Sequence, residues 1–172
     1  MNIKTEQEEQ KYALFLDASG TLLGSSSFNA LGVQLLPDTS HILNAVKQRK
    51  INNHNLKTGV ITSWGNRINP MLKALKIDTF FDVVVSADSI MKTKPNPEVF
   101  LYACNKVGVL PQYAIHVGDS LYDDALGAQS AGLNGIWVRR GHVSFAEADQ
   151  LKHPVFENLN DVLEYISQKI IL

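Results

Sequence analysis

The chain has 172 residues, of which 45% are hydrophobic and 19% charged, and its net charge is −1 at pH 7. These values predict one globular domain that buries a core. The near-zero charge argues against binding to nucleic acid or to an anionic membrane surface, and no apolar run reaches the length of a membrane span. The single cysteine, Cys104, cannot form an internal disulfide, and the N-terminal sequence has no apolar signal region, so we expect a cytoplasmic protein.

The first half of the chain alternates predicted strands and helices after a polar N-terminal tail at residues 1–10. The apolar run at residues 12–16 ends on Asp17 and a Ser-Gly turn, a pattern typical of a strand buried on both faces of a parallel sheet. Residues 22–36 are rich in Gly and Ser and predict an extended loop or a small hairpin. The next predicted elements are a helix from 37–40 to about 49, a second buried strand at 58–62 and a helix at 67–75.

The second half of the chain continues this alternation, which gives five predicted strands in total. Strands that alternate with helices predict βα units with right-handed crossovers. Residues 11–172 are therefore expected to form one domain, a three-layer α/β/α sandwich around a Rossmann-like five-stranded parallel sheet. The predicted elements of this half are strands at 81–85, 113–117 and 135–138 and helices at 98–107, 123–131 and 160–170.

Four polar residues follow the predicted strands: Asp17, Thr62, Lys94 and Asp119. Asp17 and Asp119 come just after a predicted strand, Thr62 ends one, and Lys94 lies on the segment after the third strand. Because the carboxyl ends of parallel strands meet at one edge of a sheet, we expect these side chains to converge. A turn cap explains one such residue, but not four of complementary chemistry.

The chemistry that these residues suggest is phosphoryl transfer through an aspartyl intermediate. Asp17 is the candidate nucleophile, since carboxylates are known to form such covalent adducts. A carboxylate that attacks a phosphate needs cations to offset the repulsion. Asp119, with Asp123 and Asp124 one turn further on, supplies hard oxygen ligands suited to Mg²⁺.

The remaining candidates would bind the phosphoryl group. Lys94 would hold Asp17 ionised and attract the phosphate as a point charge. The Thr62 side chain and the backbone amides of Ser63 and Trp64, which are expected to lead into a helix N-terminus, would donate hydrogen bonds to the phosphate.

The chain resembles the haloacid dehalogenase (HAD) superfamily, and the resemblance covers about residues 12–140. The motifs that carry it are DASGT at 17–21, the apolar strand that ends at Thr62, KPNP at 94–97 and GDSLYDDALGAQSAG at 118–132. The resemblance implies a sheet in the strand order 5-4-1-2-3 and, usually, Mg²⁺-dependent phosphatase activity on a phosphorylated substrate.

The resemblance also implies a set of metal ligands. These are a carboxylate oxygen of Asp17, the backbone carbonyl of Ser19 and Asp119, with Asp123 or Asp124 as a further ligand, directly or through water. Of these last two, Asp124 matches the spacing of the family motif better.

Ser19 is the first departure from the phosphatases of this superfamily. They carry a second Asp at this position, which protonates the leaving oxygen and later activates water. A serine hydroxyl supplies no acid or base near neutral pH. The sequence therefore predicts a phosphatase with weakened acid–base catalysis. Two alternatives stay open, a non-catalytic phosphate-binding or regulatory protein and a hydrolase that cleaves C–halogen or C–P bonds with Asp17 as nucleophile.

The second departure is a missing cap domain. Relatives that act on small molecules insert a helical lid after the first strand, whereas residues 22–36 leave room for a short loop only. Specificity would then come from a partner, a dimer mate or a large substrate.

Two further positions are interpreted as structural. His116 is expected to be a packed residue of the fourth strand. Arg139 and Arg140 are expected in a solvated turn, with contact to an anionic substrate as the alternative.

Overall fold

The computed structural model describes residues 10–141 and 154–169. The predicted polar tail, apart from Gln10, and the last residue of the predicted final helix lie outside the described residues. Within them, no helix is long and apolar enough to cross a membrane.

The described residues form nine strands. Two of them, β2 and β3, lie in the segment predicted as a loop or hairpin, and the others belong to one sheet. The bounds are β1 Tyr12–Leu16, β2 Leu23–Ser25, β3 Val33–Leu35, β4 Lys50–Ile51, β5 His54–Ile61, β6 Val83–Val85, β7 Ala114–Gly118, β8 Asn134–Val138 and β9 Val155–Phe156.

Strand β1 lies in the middle of the sheet and pairs in parallel with β5 on one side and β7 on the other. β6 extends the sheet beyond β5, and β8 and β9 extend it beyond β7, all in parallel, while β4 pairs antiparallel with the start of β5. The five predicted strands thus occur in the order β8-β7-β1-β5-β6. The predicted count of five is too low, because β4 and β9 are two-residue strands without a readable apolar pattern.

Six α-helices pack against the sheet in the described residues. KPNP opens the fourth helix because the Asn96 side chain accepts a hydrogen bond from the Glu98 amide and Pro97 occupies the first helical position. The predicted helix at 123–131 is instead a π-helical segment, Leu121–Leu126, followed by a short α-helix. The bounds are α1 Ser40–Gln48, α2 Ile68–Ala74, α3 Ala87–Ile90, α4 Pro97–Val107, α5 Gly127–Ser130 and α6 Leu159–Lys169.

The core lies on both faces of the sheet, which gives the predicted three layers. Leu14 and Leu16 of β1 point into one apolar cluster, and Ala13 and Phe15 point into the other. This alternation follows from the two-residue period of a strand. The first cluster includes Ile42, Val46, Leu72, Val162 and Ile166 from α1, α2 and α6, and the second includes Val99, Phe100, Ala103 and Ala128 from α4 and α5.

The segment between β1 and α1 contains the hairpin β2–β3 and a 3₁₀ turn at Pro37–Thr39. The two strands pair antiparallel, and the Leu36 amide donates to the Leu22 carbonyl at 2.9 Å to close the base of the hairpin. The prediction of a small hairpin is therefore confirmed, and in the described residues this hairpin stands where a helical lid would be inserted.

Gly135 allows β8 to approach the π-helical segment that carries Asp124. A Cβ atom at this position would lie 2.1 Å from the backbone carbonyl oxygen of Ala125, far inside contact distance. The glycine is therefore a packing requirement of the layer that places the Asp124 side chain.

We expect Gly135→Ala to destabilise the protein by about 1–3 kcal/mol, because a rigid backbone atom must move. The melting temperature should fall by about 2–4 °C for each kcal/mol in a chain of this size. Gly24→Ala is the matched control, since its Cβ would meet only the end of the flexible Leu36 side chain. Equal melting temperatures for the two variants would contradict this interpretation.

Candidate active site

Asp17 lies at the carboxyl end of β1, and its backbone amide donates to the Val117 carbonyl of β7 at 2.9 Å. The residue is 5% exposed. The chain then turns sharply, because the amides of Leu22 and Leu23 both donate to the Ala18 carbonyl. The nucleophile candidate is thus held between two strands and a tight turn.

Lys94 reaches this carboxylate from the loop before α4. Its Nζ donates to Oδ1 of Asp17 at 2.5 Å, to Oδ1 of Asp124 and to the Ile61 carbonyl at 3.2 Å. An ammonium has three protons to donate, so these three acceptors use its full capacity. The side chain is 4% exposed, which makes Lys94 a buried bridge between two carboxylates.

Three carboxylates converge here: Asp17, Asp119 and Asp124 each place one oxygen within 4.8 Å of the other two. Asp119 follows β7, and Asp124 lies in the π-helical segment, where the Ser120 amide donates to its Oδ2 at 3.0 Å. Of the two acidic residues that the sequence left open, Asp124 belongs to this group, whereas Asp123 is exposed and lies outside it.

His116 is a residue that sequence reasoning treated as packing alone. It is buried as expected, and its ring packs edge-on against Phe100. In addition, its Nε2 lies 2.9 Å from Oδ1 of Asp124. Complete burial lowers the pKa of His116 and outweighs the opposite effect of Asp124, so the neutral ring donates to that carboxylate.

The Thr62 loop differs in part from the prediction. Thr62 is buried at the end of β5, and its Oγ1 accepts a hydrogen bond from the Trp64 amide at 3.2 Å. Ser63 is exposed. Helix α2 begins at Ile68, within one residue of the predicted start at 67, so Ser63 and Trp64 lie on the loop that leads into the helix and not in its first turn. The Trp64 amide already has an acceptor within the loop.

Ser19 lies exposed on the turn after Asp17, and its backbone forms an isolated bridge with Leu23. Gly20 follows with φ +77°, and a Cβ atom there would lie 2.0 Å from Oδ2 of Asp119. Only a glycine allows this turn to lie directly against the Asp119 carboxylate.

The expectation of a solvated turn at Arg139 and Arg140 is wrong. Arg139 is buried and donates to Glu157 at 3.0 Å. Arg140 is partly buried and donates to the backbone carbonyls of Gly20 and Thr21. The tandem arginines therefore belong to the packed structure.

A cavity of about 410 Å³ lies at the opposite edge of the sheet. Tyr12, Tyr113 and Asn134, at the amino ends of β1, β7 and β8, contribute to its lining. Gln129, near the end of the motif at 118–132, also lines it, but Asp17, Thr62, Lys94, Asp119 and Asp124 do not, so the chemistry of the carboxyl edge does not extend to this cavity.

A family model described as haloacid dehalogenase-like hydrolase matches residues 7–138. The chain belongs to this family. A relative from Escherichia coli (strain K12), named phosphoglycolate phosphatase, is 30% identical over 135 residues, which cover 77% of this chain and 51% of the relative. This chain therefore spans about half the length of the curated relatives it matches.

Two solved structures of HAD proteins are similar to this chain. The structure titled HAD phosphatase from Thermococcus onnurineus is 29% identical with a TM-score of 0.69, covering 78% of this chain and 59% of the other. A structure titled 2-haloacid dehalogenase from Pseudomonas syringae pv. Tomato DC3000 is 29% identical with a TM-score of 0.65, and the match covers 79% of this chain and 54% of the other. Both similarities support the HAD fold assigned from the motifs.

The electrostatics of this HAD site are dominated by an excess of negative charge. Burial raises the pKa of Asp17 to about 7, and the neighbouring Asp124 and Asp119 add to this effect against the lowering influence of Lys94. Burial and Asp124 also raise the pKa of Asp119. Although burial opposes it, His116 and Lys94 hold the pKa of Asp124 below its usual range.

A divalent cation fits this charge distribution. Three carboxylates face one ammonium, so the group retains negative charge that a bound cation would neutralise. The donor set consists of hard oxygen atoms, which suits Mg²⁺. Asp17, Asp119 and Asp124 are the residues that could hold it.

We expect Asp17→Asn to raise the melting temperature of the metal-free protein at pH 8. The pKa of Asp17 is about 7 in the folded protein against 3.8 as the ordinary value, so between these limits the folded state keeps a proton that the unfolded state releases. Wild-type stability therefore falls as pH rises through this window, and the variant does not share that loss.

The melting temperature of Asp17→Asn at pH 8 should exceed that of wild type by at least about 5 °C. One pKa unit corresponds to about 1.4 kcal/mol, and each kcal/mol moves the melting temperature by about 2–4 °C. Thermal melts with a chelator at pH 4 and pH 8 measure it. A difference between wild type and variant that does not change with pH would contradict the charge imbalance.

Proposed function

We propose that the chain is a Mg²⁺-dependent phosphatase that acts through an aspartyl-phosphate on Asp17. The observation that carries this proposal is the Lys94 ammonium hydrogen-bonded to both Asp17 and Asp124 within the group of three carboxylates. The phosphatase name of the Escherichia coli relative supports the same reaction class.

In the first step, a carboxylate oxygen of Asp17 attacks the phosphorus atom, and the bond from phosphorus to the ester oxygen breaks. The leaving oxygen takes its proton from solvent. In the second step, water attacks the aspartyl-phosphate, which releases inorganic phosphate and regenerates the Asp17 carboxylate.

Lys94 has two roles in this proposal. Its hydrogen bond lowers the pKa of Asp17 and so favours the ionised, nucleophilic form, whereas burial raises that pKa. Its charge also offsets that of the incoming phosphate. Thr62 and the exposed Ser63 lie on the loop after β5, where a hydroxyl and a backbone amide can bind phosphate oxygens.

Mg²⁺ would bind to Asp17, Asp119 and the Ser19 carbonyl, with Asp124 rather than the exposed Asp123 as the further ligand, directly or through water. When bound, the ion neutralises charge on the transferring phosphoryl group. His116 and the Ser120 amide hold the Asp124 carboxylate in place from the protein side.

The substrate is proposed as a phosphorylated molecule without a more specific name. In the part of the chain that the structure describes, the hairpin β2–β3 stands in place of a helical lid, so a large substrate, a partner or a dimer mate would complete the site. The phosphoglycolate phosphatase from Escherichia coli is about twice as long as the part that this chain matches, so its substrate is not carried over to this chain.

The first test is phosphate release from an aryl phosphate, which has a good leaving group, in the presence of Mg²⁺. We expect slow steady turnover that Asp17→Asn reduces to the rate without protein. Asp161→Asn is the matched control, because Asp161 is exposed in the first turn of α6. Wild-type protein that releases no phosphate would contradict the proposal.

Ser19→Asp tests whether the rest of the site is intact. General acid–base catalysis contributes about 10²–10⁴-fold, so kcat for an alkyl phosphate should rise by at least about tenfold. The aryl phosphate should respond less, because its leaving group needs less protonation. An unchanged ratio of the two rates would show that the missing carboxylate is not what limits turnover.

Two other functions predict different results. A regulatory protein would bind beryllium fluoride with Mg²⁺ but would release no phosphate from any ester. The similarity to a dehalogenase structure supports testing a second hydrolase type. Halide release from a 2-haloacid without metal, abolished by Asp17→Asn, would favour that activity.

A further inference from the structure

We propose that Arg140 is a positioning residue that fixes the base of the hairpin β2–β3 and the Ser19-Gly20 turn against the metal-binding carboxylates. The part that concerns metal affinity rests on the proposed function. The part that concerns the hairpin does not, because it is a statement about the chain alone.

Arg140 follows β8 and contacts both ends of the hairpin. Its Nε donates to the Gly20 carbonyl and its Nη2 to the Thr21 carbonyl, each at 2.9 Å. These carbonyls belong to the segment that enters the hairpin. Its Nη1 donates to Oδ2 of Asp38 at 2.6 Å, and Asp38 lies just after the segment that leaves the hairpin. One guanidinium therefore joins the segment that enters the hairpin to the segment that leaves it.

The hairpin needs such an anchor because its strands pair only with each other in the described sheet topology. Backbone hydrogen bonds close its base, from Leu36 to Leu22 and from Gly20 to Leu23. These bonds hold the hairpin together, and the buried side chains of Leu22 and Leu23 pack its base into the core. The planar fork of Arg140 adds a directional contact to the end of β8, since its three nitrogens act in set directions.

Asp38 is held from a second side. Its Oδ2 also accepts a hydrogen bond from the Leu159 amide at the start of α6, at 2.8 Å. Burial raises the pKa of Asp38, but the hydrogen bonds from Arg140 and the Leu159 amide lower it overall, which keeps the carboxylate ionised. The hairpin base is thereby fixed to both β8 and α6.

The connection to the site runs through Gly20. Its carbonyl accepts from Arg140, and its Cα faces the Asp119 carboxylate so closely that a Cβ would lie 2.0 Å from Oδ2. The Ser19 carbonyl, one peptide earlier, is the proposed metal ligand. A turn that shifts when Arg140 is lost would therefore change both this carbonyl and the space beside Asp119.

Each of the three guanidinium nitrogens donates to a protein acceptor, so the Arg140 side chain is held in place by the protein itself, without a bound substrate. The Arg140 and Asp38 side chains are 20% and 15% exposed, so water screens the pair only in part.

The test compares Arg140→Gln with wild type in two measurements. Hydrogen–deuterium exchange of the amides at 18–38 should become faster, because the base of the hairpin opens more often. The dissociation constant for Mg²⁺, measured by calorimetry, should rise by about 10- to 100-fold, as found when groups that orient metal ligands are removed. Arg49→Gln, which removes the ion pair with Asp82, is the matched control and should leave both unchanged.

Arg140→Lys separates geometry from charge and covers the case in which the Gln variant does not fold. A single ammonium cannot reach the three acceptors in the same directions. Hydrogen–deuterium exchange at 18–38 should therefore be faster in Arg140→Lys than in wild type. Full restoration by Lys, or wild-type exchange in Arg140→Gln, would overturn the proposal. If wild type itself does not bind Mg²⁺, the proposed function fails, and the exchange measurement still decides whether Arg140 fixes the hairpin.

Discussion

The structure of the site depends on the buried ammonium of Lys94 between Asp17 and Asp124. Removing charged groups from water is expensive, and such a group is tolerated only when its partners are close and well oriented. Here the partners come from the end of β1 and from the π-helical segment, with the Ile61 carbonyl of β5 as the third acceptor. Loss of Lys94 would leave two buried carboxylates facing each other, so this one side chain holds three parts of the sheet edge together.

The sheet explains why so much of the site could be predicted from the sequence. Asp17, Thr62 and Asp119 directly follow apolar strands, and the order of parallel strands brings their carboxyl ends together. The motif spacing places Lys94 and Asp124 by the same logic. Apolar runs and turn signals are local patterns, so the strands β1, β5, β6, β7 and β8 and the edge they share could be inferred from them.

Contacts that depend on side-chain direction could not be predicted in this way. His116 looks like any buried strand residue until the π-helical segment brings the Asp124 carboxylate to its Nε2. That segment also decides that Asp124, and not its neighbour Asp123, joins the group. Arg140 contacts residues that lie far away in sequence, at Gly20 and Asp38, and no local pattern in the chain encodes such a pairing. Strands as short as β4 and β9 carry too few residues to show a period.

The two departures from the phosphatase pattern bear on one physical question, which is how a short hairpin can support a charged site. In the described residues a short hairpin stands where a helical lid would be inserted, and with Ser19 the turn carries no carboxylic acid at the position where the phosphatases have one. The turn could still offer its Ser19 backbone carbonyl to a metal ion. That role requires a fixed position of the main chain and no titratable side chain. The hydrogen bonds that Arg140 makes to the Gly20 and Thr21 carbonyls meet this requirement, because they hold the turn by its main chain. In the proposed mechanism, a turn without an acid would slow both departure of the leaving group and hydrolysis of the aspartyl-phosphate, so the rate of that hydrolysis would separate an enzyme from a phosphate-binding protein.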